Sequence, residues 1–397
     1  MKIDSKGKRV IIVILGFFFI FLIIGFTNNV LKSNHPSNIE TIKDLRNSGS
    51  SARIHINNNW TEAKAAEICT GSGTYSDPYI IEDFIISTYP ESGILIENSD
   101  YYLIIRNCTI GHAGSYNGGI ELVNVNNSQL IDNDCSFNYY GIKLENCNNN
   151  TVVGNKASDS ESSGYTLAIG IRLWDSNNNN ITGNIANYSG YYGIALYESD
   201  NNLIAINVAN ECEGGDGIIL VGCKNNIISE NTANRNGVMS FLNFGVRNDI
   251  GISLFGCEDN IIQNNIANGN TKAGIYLYSS TDITITGNNV KLNDKGIWLD
   301  YSSDNNLIST SEIHDNNQHG IYLTRKSNNN IITKNHLSEN GICIEEIDCS
   351  GNIYWDNGLC IYIGAPFLEI IVYSCLATIG IITLIIFELK RRKTHKF

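Results

Sequence analysis

The chain has 397 residues, a formal net charge of -13, four prolines and two methionines, against 36 glycines and 57 asparagines. Its acid surplus argues against nucleic-acid binding, whose affinity rests on Lys and Arg neutralising phosphates, and so little Met argues against copper held on thioethers. At 42% hydrophobic and 17% charged it is too apolar for bulk disorder, and Asn and Gly at this level disfavour long helices. What remains is a β-rich, turn-rich or repetitive protein.

The first element is an apolar run, Val10 to Phe26, preceded by Lys2, Lys6, Lys8 and Arg9. The last is Ile370 to Phe387, followed by Lys390, Arg391, Arg392 and Lys393. Each is just long enough to span a bilayer core, and basic residues on the outer end of both place both termini in the cytoplasm. The first run reads as an uncleaved anchor or as a cleaved signal peptide. The predicted order is a basic tail (1–9), an anchor or signal (10–26), a polar linker (27–51) and an N-terminal cap with a lead-in coil (52–92). A repeat region (93–357), a juxtamembrane segment (358–369), a membrane span (370–387) and a second basic tail (388–397) follow. The tails carry +3 and +4 and the displayed segment 32–369 carries -20, which favours a neutral polysaccharide, a glycoprotein or a basic surface as partner over nucleic acid or acidic polymers.

Within the repeat region Gly-Ile-x-(Leu/Ile) is the recurrent signal, with its Gly at 93, 119, 141, 170, 193, 217, 251, 274, 296, 320 and 341. A period near 23 residues with apolar side chains at alternate positions signals stacked β-coils. Each coil adds Asn-x-(Ile/Leu/Val)-x-x-Asn, as in Asn179-Asn-Ile-Thr-Gly-Asn184 and Asn226-Ile-Ile-Ser-Glu-Asn231. Stacking sets equivalent amides one strand spacing apart, about 4.8 Å, so they can bond up the stack. Asn also tolerates the left-handed corners between strands. Small Ala157, Ala186, Ala209, Ala233 and Ala267 fit a tight inward corner, and Ile283 and Ser311 depart from the ladder.

Gly-Ile-x-Leu followed by Asn-Asn-x-Ile-x-x-Asn resembles the NosD-like family, part of the wider carbohydrate-binding and sugar-hydrolase β-helix group. The resemblance covers roughly residues 79 to 357. It implies an all-β, right-handed parallel β-helix of about eleven coils, here with a transmembrane helix near each terminus. Trp60 to Cys69 reads as a short amphipathic helix covering the first coil, and Ile353-Tyr-Trp355 as the closure of the other end.

Ile and Leu of each repeat point inward, so the residues two and four after each Gly point out. The later coils are aromatic there: Tyr276, Trp298 and Tyr322 form one row, with Trp174, Tyr197, Phe255 and Tyr278 beside it. Exposed aromatics in a row stack on the apolar faces of sugar rings; they also simply pack on one another in strands. The apolar insertion Val238 to Val246 either folds back over Val221 and Phe255 or walls a groove.

A catalytic reading needs carboxylates or a carboxylate and a base converging on that face, and the best local set is Asp300, His319 and Lys295, with Asp294, Asp315 and Arg325 nearby. Gly215-Asp216-Gly217 and Gly111-His112-Ala113 are only fragments of hydrolase-like motifs. No histidine or cysteine spacing suits a metal, so neither metal nor cofactor is expected. Cys223 and Cys257 hold equivalent places on consecutive coils, within reach of a disulfide or as stacked thiols, and Cys349 with Cys360 can staple the C-terminal cap. Six sequons (Asn59, Asn107, Asn126, Asn149, Asn180 and Asn187) are candidates for N-glycosylation. The expected function is non-catalytic glycan or cell-envelope binding by a membrane-anchored surface protein; the alternatives are a polysaccharide-degrading or epimerising enzyme and a structural envelope spacer.

Overall fold

The structure, a computed structural model, describes residues 53–160, 168–237 and 249–358 and the backbone of 362–363. Both apolar runs and the insertion at 238–248 lie outside the described residues, and among those described no helix is long and apolar enough to cross a membrane.

The repeats wind into an all-β parallel solenoid of about eleven turns. Eleven strands that start at or beside the repeated glycine, with Ile54–Asn57 at one end and Tyr362–Ile363 at the other, form one parallel sheet of thirteen. The strands of the Asn-x-Ile-x-x-Asn segment form a second parallel sheet of twelve. A third line of pairing runs through short strands and single bridges such as Lys156 to Ile185 and Thr232 to Ile266. Ile and Leu from successive coils fill one continuous core from Ile54 to Ile344. Each coil turns tightly at its Gly: a Cβ on Gly193 would sit 2.7 Å from the Gly217 carbonyl oxygen and 2.8 Å from the Ala209 Cβ. The corner therefore needs glycine on the strand, and on the middle coils Ala157, Ala186, Ala209 and Ala233 stand on the segment it meets, where Ile110, Val290 and Ile313 stand on other coils.

Polar side chains carry the rest of the stack. Asn155, Asn184, Asn207, Asn231, Asn265 and Asn288 form a buried ladder in which each backbone N–H donates to the next Oδ1 at 2.9 Å. Each Nδ2 donates to the same oxygen at 3.0 Å and also reaches back to a carbonyl of the preceding coil, as from Asn207 to Ile181 at 2.8 Å. A second ladder runs Asn150, Asn179, Asn202, Asn226 and Asn260. At Ile283 the amide rung is lost, but the Ile283 N–H still donates to Asn306 Oδ1 at 2.8 Å. The residue before each rung explains the Asn doublets: Asn149, Asn178, Asn201, Asn225, Asn305 and Asn329 have φ between 56° and 58°, the left-handed corner that Asn accepts more readily than most residues.

Two further ladders escaped the sequence reading. Asn236, Asn270, Asn293, Asn316 and Asn340 make one. In the other, backbone N–H groups donate to side chains in the order Cys147, Ser176, Ser199, Cys223, Cys257, Ser280, Ser303 and Ser327. This row decides between the two readings of Cys223 and Cys257 in favour of stacked thiols. Cys223 and Cys257 do stack on consecutive coils, but as buried free thiols, each sulfur accepting a backbone N–H as serine oxygen does elsewhere in the row. Cys349 is also a free thiol, while Cys343 is disulfide-bonded; Cys360 lies outside the described residues.

The ends differ from expectation in detail. The N-terminal helix spans only Trp60–Ala65 and is followed by Glu67 at φ 58°. Trp60 is buried, stacks on Tyr79 at 4.4 Å and donates from Nε1 to Ser99 Oγ at 3.0 Å. At the far end Ile353 and Trp355 face outward, 54% and 49% exposed. Inside that coil, Glu346 is buried and accepts from Tyr354 Oη at 2.5 Å and Asn352 Nδ2 at 3.0 Å.

Replacing a mid-ladder amide should cost more than its own bonds, because Asn184 would keep two buried donors without an acceptor. Asn207→Ala is expected to lower the unfolding free energy by roughly 2–4 kcal/mol. Asn207→Ser should cost less, since Ser311 shows that a hydroxyl can take the backbone N–H of the rung below, at 3.2 Å. Urea denaturation of the two variants checks the order.

Candidate functional site

The outward positions of the thirteen-stranded sheet form two rows. The first runs Glu121, Lys143, Arg172, Ala195, Ile219, Ser253, Tyr276, Trp298, Tyr322 and Glu345 in register. The second, two residues on, runs Val123, Glu145, Trp174, Tyr197, Val221, Phe255, Tyr278 and Asp300. The last coil corrects the sequence reading: Ile344, not Ile342, pairs with Ile321, so the register shifts by two residues and Glu345 joins the row of Tyr322. The Gly341 repeat therefore marks the coil without setting its alignment.

The aromatic row divides into two patches. In the early one Trp174 is 42% exposed and stacks on Tyr197 at 5.6 Å. The Arg172 guanidinium lies 4.9 Å from the Trp174 ring, 5.3 Å from Tyr140 and 5.6 Å from Tyr197. Arg53, Arg106, Arg235 and Arg325 each hold a carboxylate; among the described residues Arg172 forms no salt bridge. On the coils before it, Lys143 is shared by Glu121 at 2.7 Å and Glu145 at 3.2 Å.

In the late patch Tyr276 is buried, 6% exposed, which removes it from an open platform. Its phenol donates to Asp300 Oδ2 at 3.1 Å, and burial beside that carboxylate pushes its pKa up. Asp300 is buried as well and accepts Thr324 Oγ1 at 2.8 Å and Arg325 Nε at 3.2 Å. Trp298, half-buried, donates to Thr324 Oγ1 at 3.0 Å. Tyr322 is half-buried and lies between Trp298 at 6.1 Å and the His319 ring at 4.3 Å. Phe255 and Tyr278, both half-buried, sit 5.7 Å apart. Tyr301 is the member that sequence reasoning missed: it stacks on Tyr278 at 5.1 Å with an 8° tilt and is 51% exposed. Alternation would turn it inward, but its φ of 52°, followed by 60° at Ser302, re-aims it.

Lys295 and His319 are register partners on adjacent strands. Each already has a partner within the protein. Lys295 Nζ is 3.4 Å from Asp294 and 3.2 Å from Gln318 Oε1, over the Trp298 ring at 5.0 Å. His319 Nε2 is 2.7 Å from Glu345. Asp300 is the centre of a satisfied network and faces the interior of the patch, so the three candidate catalytic residues are neighbours without converging on an open point. Asp315 sits elsewhere, bonded to His314 at 2.8 Å.

A polar cleft of about 420 Å³ is lined by Asn98, Asp100, Asn124, Asn126, Asn146 and Asn148. The sequons sit on early coils: Asn59, Asn107 and Asn149 are exposed and Asn126, Asn180 and Asn187 half-buried. The Asn107 and Asn126 amides donate to Asp83 at 2.6 Å and Asp100 at 2.7 Å.

The family model of the periplasmic copper-binding protein (NosD) matches residues 105–243 and 242–369. The chain belongs to the NosD family. No curated protein matches the sequence. Similar solved structures include the periplasmic alginate epimerase AlgG, at 15% identity over 75% of this chain and 83% of that one, TM-score 0.45. The DFA-IIIase of Arthrobacter chlorophenolicus without its lid follows at 12% identity, 81% and 98% coverage and TM-score 0.47. The Dettilon tailspike protein is similar at 15% identity, 73% and 62% coverage and TM-score 0.45. Likeness at this level says nothing about activity.

The donors described do not fit copper. Among the described residues no three of His, Cys, Asp and Glu are grouped to hold an ion. His314 and His336 lie on neighbouring strands but out of register, His314 opposite Ser338 and His336 opposite Glu312, and His314 and His319 are bonded to carboxylates. Apart from half-buried Cys349, the free thiols are buried, and Cys147, Cys223 and Cys257 serve as ladder rungs. No chemical step is assigned to a metal.

One titratable group on this face was overlooked as a motif fragment. Asp216 is fully buried, accepting Ile250 N–H at 3.0 Å and Ser253 Oγ–H at 2.5 Å. Burial pushes its pKa up to about 7, against the lowering effect of those donors. The unfolded carboxyl ionises near pH 4 while the folded one stays protonated, so folding takes up a proton and stability falls as pH rises from 4 to 7, by at most about 1.4 kcal/mol per pH unit. Asp216→Asn should flatten that slope in urea titrations across the range.

Proposed function

We propose that this NosD-family chain is an extracytoplasmic, membrane-anchored solenoid that binds saccharide along the outward face of its long sheet without cleaving it. The observation that carries the reading is the patch at Trp174. Its indole is exposed, backed by Tyr197, and shares its surroundings with a guanidinium that forms no salt bridge among the described residues. A sugar ring can lay its C–H face on the indole while its hydroxyls take guanidinium donors. Tyr278 with Tyr301, and Trp298 with Tyr322, continue the ring surface along the later coils, and the axial repeat of the coils suits an extended polymer. The family's periplasmic description agrees with display outside the cytoplasm, and the terminal apolar runs with their basic flanks support the anchor. Neutral polysaccharide or glycoprotein glycans are the favoured partners, given the charge of the displayed segment. Cleavage or epimerisation is less well served, because Asp300, His319 and Lys295 are each committed to contacts inside the protein.

A glycan-binding screen of the detergent-solubilised full chain should return neutral oligosaccharides. Trp174→Ala should weaken that binding roughly tenfold or more with an unchanged melting temperature, since the ring is exposed. An absence of sugar binding, or affinity indifferent to Trp174, contradicts the reading.

A further inference from the structure

The C-terminal end of the solenoid presents a surface that a sugar-binding role leaves unused. Ile331 and Ile353 are register partners on the last two strands of the twelve-stranded sheet, 40% and 54% exposed. Trp355 stands two residues beyond Ile353 on the same outward face. Lys334 Nζ lies over its ring at 5.5 Å. In the order of this sheet Ile353–Trp355 is the final strand, with no further strand paired beyond it among the described residues. An indole, branched aliphatic side chains and a lysine with a long apolar stem are the residues that settle where a bilayer's headgroups meet its acyl chains.

The chain beyond this end fixes what lies near it. The last described strand ends at Ile363, and the apolar run starts at Ile370. Seven backbone steps reach at most roughly 24 Å, so a bilayer holding Ile370 to Phe387 lies within a coil's width or two of Trp355. We infer that Ile331, Ile353 and Trp355, with Lys334, dock the last coil on the outer surface of the membrane that holds the C-terminal span. The inference rests on the anchoring part of the proposed function and is independent of sugar binding. Docking would orient the rod: its C-terminal coil sits on lipid and its early coils, with Trp174, stand farther from the bilayer. It also explains why the last two coils leave an indole and two isoleucines in the open, where a free end would be expected to carry polar residues.

The test uses the full chain reconstituted into phosphatidylcholine vesicles, with and without phosphatidylcholine brominated near the headgroup end of its acyl chains. Trp emission is compared with that of Trp355→Phe, a variant whose cooperative melting should be unchanged because the ring is exposed. Docking predicts that brominated lipid clearly quenches the natural chain, that most of this quenching disappears in Trp355→Phe, and that Ile353→Asn reduces it. Equal quenching in both proteins, or a Trp355 that brominated lipid leaves untouched, overturns the inference; aqueous iodide then tells an open patch, which it quenches, from one covered by a second copy or by the segment 364–369, which it does not. Vesicle flotation separates the two failures. A chain that floats without Trp355 quenching keeps its anchor and loses the docking, whereas a chain that does not float loses both.

Discussion

The buried side-chain-to-backbone hydrogen bond, repeated once per coil, is the constraint on which the rest of this molecule depends. A parallel stack leaves corner N–H and C=O groups that no strand can pair, and burying them unpaired would cost far more than the apolar core returns at each corner. Asn solves this with one side chain: its oxygen takes the N–H of the coil below and its amide hydrogens reach a carbonyl there and the next rung above. Ser and Cys do the simpler half of that work in their own row. The composition follows from this geometry, because each coil needs several rungs and a left-handed residue ahead of at least one of them.

With the interior so uniform, individuality is confined to outward positions, and function has to be sought there. The long sheet's outward rows change along the rod, from ion pairs at Glu121, Lys143 and Glu145, through the Arg172 and Trp174 patch, to the network around Asp300. Buried Asp300 illustrates how such a face can mislead: a carboxylate among Tyr, Thr and Arg resembles a reactive group by composition, yet its oxygens are occupied by Tyr276, Thr324 and Arg325. Trp174 stays exposed, and Arg172 forms no salt bridge among the described residues; on that contrast the proposed binding surface rests.

Much of the fold was legible because its signals are periodic. Gly-Ile-x-Leu marks the tight corner and inward residues, and the Asn doublets mark corner and rung together. What the sequence hid depends on local departures from the period. Tyr301 is turned outward by two consecutive positive φ values, and Glu345 is moved one row by a register shift in the last coil. Cys223 and Cys257 match the spacing for a disulfide as well as for stacked thiols, and only the structure, in which both are free thiols, decides between them. Tyr276 sits in a row of outward residues, but the Phe255 and Trp298 rings pack against it at 5.6 and 4.7 Å and it is buried. Burial of an outward residue depends on the sizes of residues on other coils, which a single repeat does not disclose.

Amide hydrogen exchange followed residue by residue tests the central claim about the ladders most directly. If the rungs hold the stack together, the backbone amides of Asn184, Asn207, Asn231 and Asn265 should exchange together and slowest, through opening of the whole solenoid. The corner amides of Asn178 and Asn201, bonded to neighbouring coils but open to solvent, should exchange far faster through local opening. Rung amides that exchange as quickly as those corners, or independently from coil to coil, would contradict the account.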